Sequence, residues 1–351
     1  MSELSQAHVG SGLAMSVAGP VPVAALGLTL MHEHILNDCS CWWHPPGPER
    51  AHLAGAPVAP GLLWELRQDP FVNRDNLGLR NEEAAVEELS LFTAEGGRTI
   101  VDPTCRGIGR DPAALRRIAE ATGLTIIMGA GYYLQASHPP EVAALSAEAI
   151  ADEIVREALE GVDGVRIGLI GEIGVSATFT PEERKSLRGA ARAQARTGLP
   201  LMVHLPGWFR LGHEVLDIVE AEGADPRHTI LCHMNPSCKD FAYQKSLAAR
   251  GAFIEYDMIG MDYFYADQGV QCPDDEANAA GIMRLIEAGH ADRVLLSQDV
   301  FLKMMLTRHG GNGYAYVVRH FLPRLVRHGL DPAAAQALMI DNPRRVFHTR
   351  D

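Results

Sequence analysis

Short, nearly continuous apolar runs recur along the chain at Leu28–His32, Thr99–Asp102, Thr125–Ala130, Ile167–Ile170, Leu201–His204, Thr229–His233, Ala252–Tyr256 and Arg293–Ser297. They do not alternate apolar with polar residues, which is the pattern of parallel strands covered on both faces. Between them lie stretches with helical spacing: Asn81–Glu95, Asp111–Thr122, Ala147–Glu160, Pro181–Thr197, Gly212–Glu222, Asp240–Arg250 and Ala277–Gly289. A final pair, Tyr314–His328 and Pro332–Met339, follows the last run. Several of these open on capping or first-turn residues, as at Thr180-Pro181, and stop at glycine, as at Thr197-Gly198. Eight such repeats predict an α/β fold, a (β/α)8 TIM barrel with a parallel eight-stranded core, rather than an open doubly wound sheet. A GxGxxG fingerprint after an early strand, which the open sheet would favour, is missing.

The pattern calls for one barrel domain over residues 1–351, with residues 1–27 as an N-terminal extension packed on it. The apolar stretch from Ser11 to Leu30 lacks a basic leader and carries Pro20 and Pro22, so it reads as structure rather than a targeting segment. The segment from Asn37 to Asn81 is long, rich in Pro and Trp, and follows the first strand. In a barrel it would cover the strands' C-terminal face, where active sites are built.

Composition narrows the class. With 47% hydrophobic and 21% charged residues the chain can bury a sizeable core and is not disordered. A formal charge of -13 argues against nucleic acid and anionic membrane as partners. No run approaches the ~18 apolar residues of a membrane span. A small-molecule substrate and a cytoplasmic location are therefore expected. The six cysteines form no CxxC pair and read as buried, reduced thiols.

The chemistry gathers at predicted strand ends. The first strand ends in His32-Glu33-His34, and a His-x-His pair on extended chain turns both imidazoles to one side. The fifth ends in His204, the sixth in His233 and the eighth runs into Asp299, while the fourth runs into Glu172. Four imidazoles and two carboxylates on one rim are the donor set of two borderline-soft divalent ions, most simply zinc. Two ions ~3.5–4 Å apart call for a bridging carboxylate and a bridging hydroxide that attacks the substrate. Asp299, beside that hydroxide, is the natural proton acceptor and the candidate catalytic residue.

The stretches GLTLMHEHI, DPTCRGIGRD, GAGYYLQASH, GLIGEIGVS, MVHLPG, ILCHMN and EYDMIG resemble the phosphotriesterase-related branch of the amidohydrolase superfamily, and the likeness runs over almost the full length. The resemblance implies that His32, His34 and Asp299 hold the more buried metal, that His204 and His233 hold the second, and that the strand-four carboxylate bridges them. Founding members bridge with a carboxylated lysine; here the matching residue is Glu172, in the GEIG context of a Glu-bridged subgroup of acylamide hydrolases once described as resiniferatoxin-binding. That implies hydrolysis of a carboxylic amide, lactone or ester, with an anionic-tailed N-acyl amide fitting the subgroup and a homodimer as the expected assembly. Phosphotriester hydrolysis, or ligand binding without turnover on the same barrel, are the alternatives.

Substrate contacts are expected from residues just beyond the strands. Arg106 could meet an anionic group bidentately, with Arg110 a weaker candidate. Tyr132 and Tyr133 follow strand three, where one should face the metals and the other pack. Tyr256 and Asp257 end strand seven, Lys303 follows strand eight, and Trp42 and Trp43 could wall the site. His138 is an outlying candidate.

Overall fold

Eight strands form one parallel sheet in strict chain order: β1 Leu28–Leu30, β2 Gly97–Asp102, β3 Thr125–Ala130, β4 Leu169–Gly174, β5 Leu201–His204, β6 Thr229–Leu231, β7 Phe253–Tyr256 and β8 Val294–Leu296. The computed structural model describes residues 12–348. Its first and last strands come together through the Asp299 amide, which donates to the His32 carbonyl at 3.1 Å, and the His34 amide, which donates to Val300 at 3.2 Å. The fold is a (β/α)8 barrel.

Besides the single turn Leu63–Leu66, its helices are α1 Glu82–Ala94, α2 Pro112–Thr122, α3 Ala147–Leu159, α4 Pro181–Thr197, α5 Gly212–Ala221, α6 Phe241–Ala249, α7 Asp275–Glu287, α8 Leu322–Arg327 and α9 Pro332–Phe347. Polar side chains cap most of their N-termini: Asn81, Asp111, Ser146, Thr180, Asp240, Asp274 and Asp331 each accept a backbone N–H of the first turn. Thr180 and Glu183 form a reciprocal capping box.

Two apolar layers result from the period-two alternation of the strands. Ile126, Ile170, Leu201, Ile254 and Leu296 join the helices in the outer layer. Val101, Ile127, Met202, Phe253 and Leu295 form a separate cluster inside the barrel. An N-terminal hairpin, Leu13–Ser16 with Gly19–Pro22, lies against the barrel. Its Ala14, followed by Val23 and Leu26, joins the interior cluster from below, as do Val346 and Phe347 of α9. The expected N-terminal extension, 1–27, falls partly on residues 1–11, which lie outside the described residues.

Several element boundaries differ from the sequence expectation. β4 runs on to Gly174, so Glu172 lies inside the strand, whereas β6 and β8 stop before His233 and Asp299. The helix expected from Tyr314 starts at Val317, after short 3-10 turns at Lys303–Met305 and Thr307–His309. Tyr314 is taken by the barrel: its hydroxyl donates to the His34 carbonyl at 2.9 Å, and its own carbonyl accepts from Gln298 Nε2 at 3.1 Å. The last helix continues through Pro343 to Phe347 because Asn342 bonds the carbonyls of Ala291 and Val294 while Val346 and Phe347 are buried below the barrel. All six cysteines are free; Cys41 is half-buried and the others are buried. Among the described residues, no helix is long and apolar enough to cross a membrane.

Candidate metal centre

The interior alternation continues past the apolar layer toward the C-terminal rim, where it turns polar. Met202 is followed two residues on by His204, Phe253 by Glu255 and Asp257, and Leu295 by Ser297 and Asp299. β4 reaches the same level through a bulge. Ile170 pairs with Leu201 and Ile173 with Val203, so one extra residue is accommodated and Glu172 is turned into the cluster. Gly171 is required for this: at φ 132° a Cβ there would lie 2.4 Å from the Met202 carbonyl oxygen. His233 and Asp299 sit just past their strands with φ of 57° and 49°, a left-handed backbone uncommon for residues with side chains.

The six predicted residues converge. Glu172 Oε1 lies 3.6 Å from His32 Nε2 and 3.8 Å from His34 Nε2, while its Oε2 lies 2.9 Å from His204 Nδ1 and 3.2 Å from His233 Nε2. Each carboxylate oxygen thus faces a different imidazole pair. Asp299 Oδ1 approaches His34 Nε2 at 3.4 Å and His32 Nε2 at 3.7 Å. Three donor groups that share His32 emerge, His32 with His34 and Asp299, His32 with Glu172 and His233, and His32 with Cys232, Glu255 and Asp257, each with donor atoms within 4.8 Å of one another. His32 Nε2 and Asp299 Oδ1 are buried without a hydrogen-bond partner, an arrangement that costs stability unless a cation is coordinated there. The residues present therefore fit a pair of divalent ions.

The far side of each ring is also held. His32 Nδ1 meets Asp257 Oδ2 at 3.3 Å and Glu255 Oε2 at 3.4 Å; His233 Nδ1 meets Asp257 Oδ1 at 3.0 Å; His34 Nδ1 meets Thr104 Oγ1 at 2.8 Å. With Nδ1 engaged, each of these three rings turns its Nε2 into the cluster, the arrangement usual around bound metals; His32 Nε2 has no hydrogen-bond partner there, whereas His233 Nε2 lies 2.7 Å from His204 Nδ1. His204 differs, presenting Nδ1 to Glu172. Glu33, between the paired histidines, holds the other side of the rim: it accepts from Ser297 Oγ at 2.7 Å, from the Gln298 and Val300 amides at 2.8 Å each, and from Gln298 Nε2 at 2.9 Å. Those partners flank Asp299.

Charge in the cluster is shared. Burial would raise the Glu172 carboxyl, but the neighbouring His32 and His204 imidazoles hold it well below the usual range. Burial opposes protonation of His233, yet Asp257 pushes it up to about 10. His204 is moved down by burial and by the adjacent His233. Such proton-loaded carboxylate–imidazole clusters release protons when a cation takes the protons' place.

Above the cluster opens a cavity of about 720 Å³, the space the long loop after β1 was expected to cover. That loop contributes Trp42 and Phe71; Tyr133, Trp208, Tyr265 and Phe301 complete an aromatic wall. Tyr133 sets its ring edge against His204, with centroids 4.8 Å apart, and its hydroxyl accepts from Trp42 Nε1 at 3.3 Å. Its neighbour Tyr132 turns away and donates to Glu153 at 2.7 Å. The remaining expected substrate contacts are corrected by the structure. Arg106 is ion-paired with Glu141 and Glu153, and Arg110 with Glu157, outside the cavity. Lys303 pairs with Asp75 at 2.5 Å and borders a different, smaller depression. Tyr256 lies on the helix side of β7, where its hydroxyl donates to Gln244 at 2.6 Å. Trp43 lies under the Arg74 guanidinium, and His138 bonds the Tyr133 carbonyl. Three supporting groups, Glu33, Thr104 and Glu255, were missed as site residues, and Asp257 was expected to meet substrate rather than imidazoles. The Glu255-x-Asp257 spacing at a strand end was a usable signal, being the carboxylate counterpart of His-x-His.

The chain belongs to the phosphotriesterase family, whose model matches residues 14–347. Among curated proteins it is 34% identical to the human N-acetyltaurine hydrolase over 340 residues, which covers 95% of this chain and 97% of that one. Among solved structures it superposes on a resiniferatoxin-binding protein from Rhodobacter sphaeroides with a TM-score of 0.97 and 67% identity, over 99% of this chain and 98% of the other. A phosphotriesterase homology protein from Escherichia coli, solved with phosphate in its active site, matches with a TM-score of 0.75 and 27% identity, over 92% of this chain and 99% of that one.

Proposed function

We propose that this protein is a binuclear metal-dependent hydrolase that cleaves a carboxylic amide, ester or lactone. One observation carries the reading: the two oxygens of Glu172 face two separate imidazole pairs, the geometry of a carboxylate that bridges two ions. His32, His34 and Asp299 would hold one ion, His204 and His233 the other. Zinc suits the nitrogen-rich donor set. The ions would supply Lewis acidity, activating water and polarising the scissile carbonyl.

The chain's own residues do the rest. Asp299 belongs to the His32–His34 group through Oδ1, and its Oδ2 lies 4.0 Å from His233 Nδ1, so its carboxylate can take the proton of the attacking water and return it to the leaving nitrogen or oxygen. Tyr133 already accepts from Trp42, which leaves its hydroxyl proton free to donate to a substrate oxygen. The aromatic wall excludes bulk water and positions the acyl group. The human relative's activity on an N-acyl amide and the Glu172 bridge together favour carbon–nitrogen and carbon–oxygen acyl bonds over phosphotriesters. The test is turnover by zinc-loaded protein of a panel of N-acyl amines, lactones, carboxylic esters and phosphotriesters. Acyl substrates should be cleaved at least tenfold faster than phosphotriesters in kcat/KM; preference for the phosphotriesters would overturn the assignment.

A further inference from the structure

We infer that this site selects an uncharged, largely apolar acyl substrate and discriminates against anionic ones such as a taurine conjugate. The inference rests on the hydrolase reading above and concerns which substrate that site accepts. Its basis is the cavity wall. Trp42 stacks on Phe71 with centroids 5.4 Å apart, Phe71 meets Tyr265 at 4.9 Å and Phe301 at 6.4 Å, and Tyr265 meets Trp208 at 5.7 Å. This surface continues outward to Phe209, which is 50% exposed at the mouth. Among the described residues lining the cavity there is no lysine and no arginine.

The basic side chains nearest in sequence to the rim are committed elsewhere. Arg106 and Lys303 are ion-paired outside the cavity, Arg184 pairs with Glu214, Arg210 pairs with Asp240, and Lys185 pairs with Glu182 and bonds two backbone carbonyls. The carboxylate that does reach the wall, Glu183, is saturated by the amides of Gln135, Ser176 and Thr180. It therefore adds negative charge without offering a partner to an anion. Aromatic faces carry negative partial charge and repel anions further. A sulfonate or carboxylate entering this space loses hydration and gains no guanidinium or ammonium in return. An alkyl, aryl or lactone group gains burial at each carbon. Gln268, at the rim, offers a neutral hydrogen-bonding terminus.

The test separates binding from turnover. Quenching of tryptophan fluorescence in the zinc-loaded protein reads the affinity of two non-hydrolysable probes that carry the same decyl chain, 2-dodecanone and decanesulfonate. The ketone should bind at least tenfold more tightly, and its affinity should rise by up to about fourfold per added methylene. Gln268→Arg places a guanidinium at the rim and should raise decanesulfonate affinity about tenfold, the worth of one charge-assisted hydrogen bond. Equal affinity for the two probes in the parent, or unchanged sulfonate binding in the variant, would overturn the inference. Turnover of N-decanoylethanolamine against N-decanoyltaurine is measured alongside. Selective ketone binding with no turnover of any acyl substrate would refute the hydrolase reading and leave the selectivity standing.

Discussion

Asp257 supports both proposed metal positions at once, which makes Asp257→Asn a sharp perturbation. Its Oδ1 lies 3.0 Å from His233 Nδ1, its Oδ2 lies 3.3 Å from His32 Nδ1, and both oxygens accept the His233 amide. An asparagine has one oxygen. If that oxygen stays with His233, the amide nitrogen faces His32 Nδ1, and a donor meets a donor. If it turns over, His233 loses its acceptor. Either way one buried hydrogen bond to a charged group is lost, about 1.5–3 kcal/mol. Converted to affinity, that is about 10–100-fold, the same range seen when a carboxylate behind a metal-binding imidazole is removed. The assay is chelator competition followed by elemental analysis, which gives the affinity of each ion separately. The expected result is weakened binding of at least one ion by about an order of magnitude or more, with the fold retained by circular dichroism. An Asp257→Asn variant that holds both ions as tightly as the parent would refute the claim that this carboxylate fixes the two rings.

Other expectations follow from the same geometry. Asp299→Asn removes the proton acceptor and should lower turnover by ~10²–10⁴-fold while probe binding changes far less; parallel losses in binding and rate would assign Asp299 a purely structural role. Glu33→Gln leaves at least one of the four donors around Glu33 without an acceptor, so urea unfolding of the metal-free protein should show a loss of about 1–3 kcal/mol. Its turnover should fall as well, because Gln298 and Val300 flank Asp299; unchanged stability and rate would show that Glu33 positions nothing. Gly171→Ala forces a Cβ against the Met202 carbonyl and should disturb metal uptake before it disturbs secondary structure, as metal titration compared with circular dichroism would reveal.

The barrel was legible because parallel strands covered on both faces leave unbroken apolar runs, and the metal-site candidates because each falls at or just past the end of such a run. His233 and Asp299 lie in the cluster with the other candidates although both fall beyond regular strand, and their left-handed backbone cannot be read from residue type. Tyr256 failed for a reason the sequence contained: in a strand with Glu255 and Asp257 facing inward, the residue between them faces the helices. Arg106 and Lys303 failed for a reason it did not contain. Their partners, Glu141 and Glu153 in one case and Asp75 in the other, come from segments 35 to 228 residues away, and only the folded chain brings them together. The aromatic cavity wall was likewise only half visible. Trp42 could be guessed from the long loop, but Phe71, Trp208, Tyr265 and Phe301 meet through loops after different strands.

Anomalous diffraction from crystals of the zinc-loaded protein tests the central claim most directly. The account predicts two peaks ~3.5–4 Å apart. One should be bounded by His32, His34 and Asp299 and the other by His204 and His233, with Glu172 between them. A single peak, or two peaks not joined by Glu172, would contradict it.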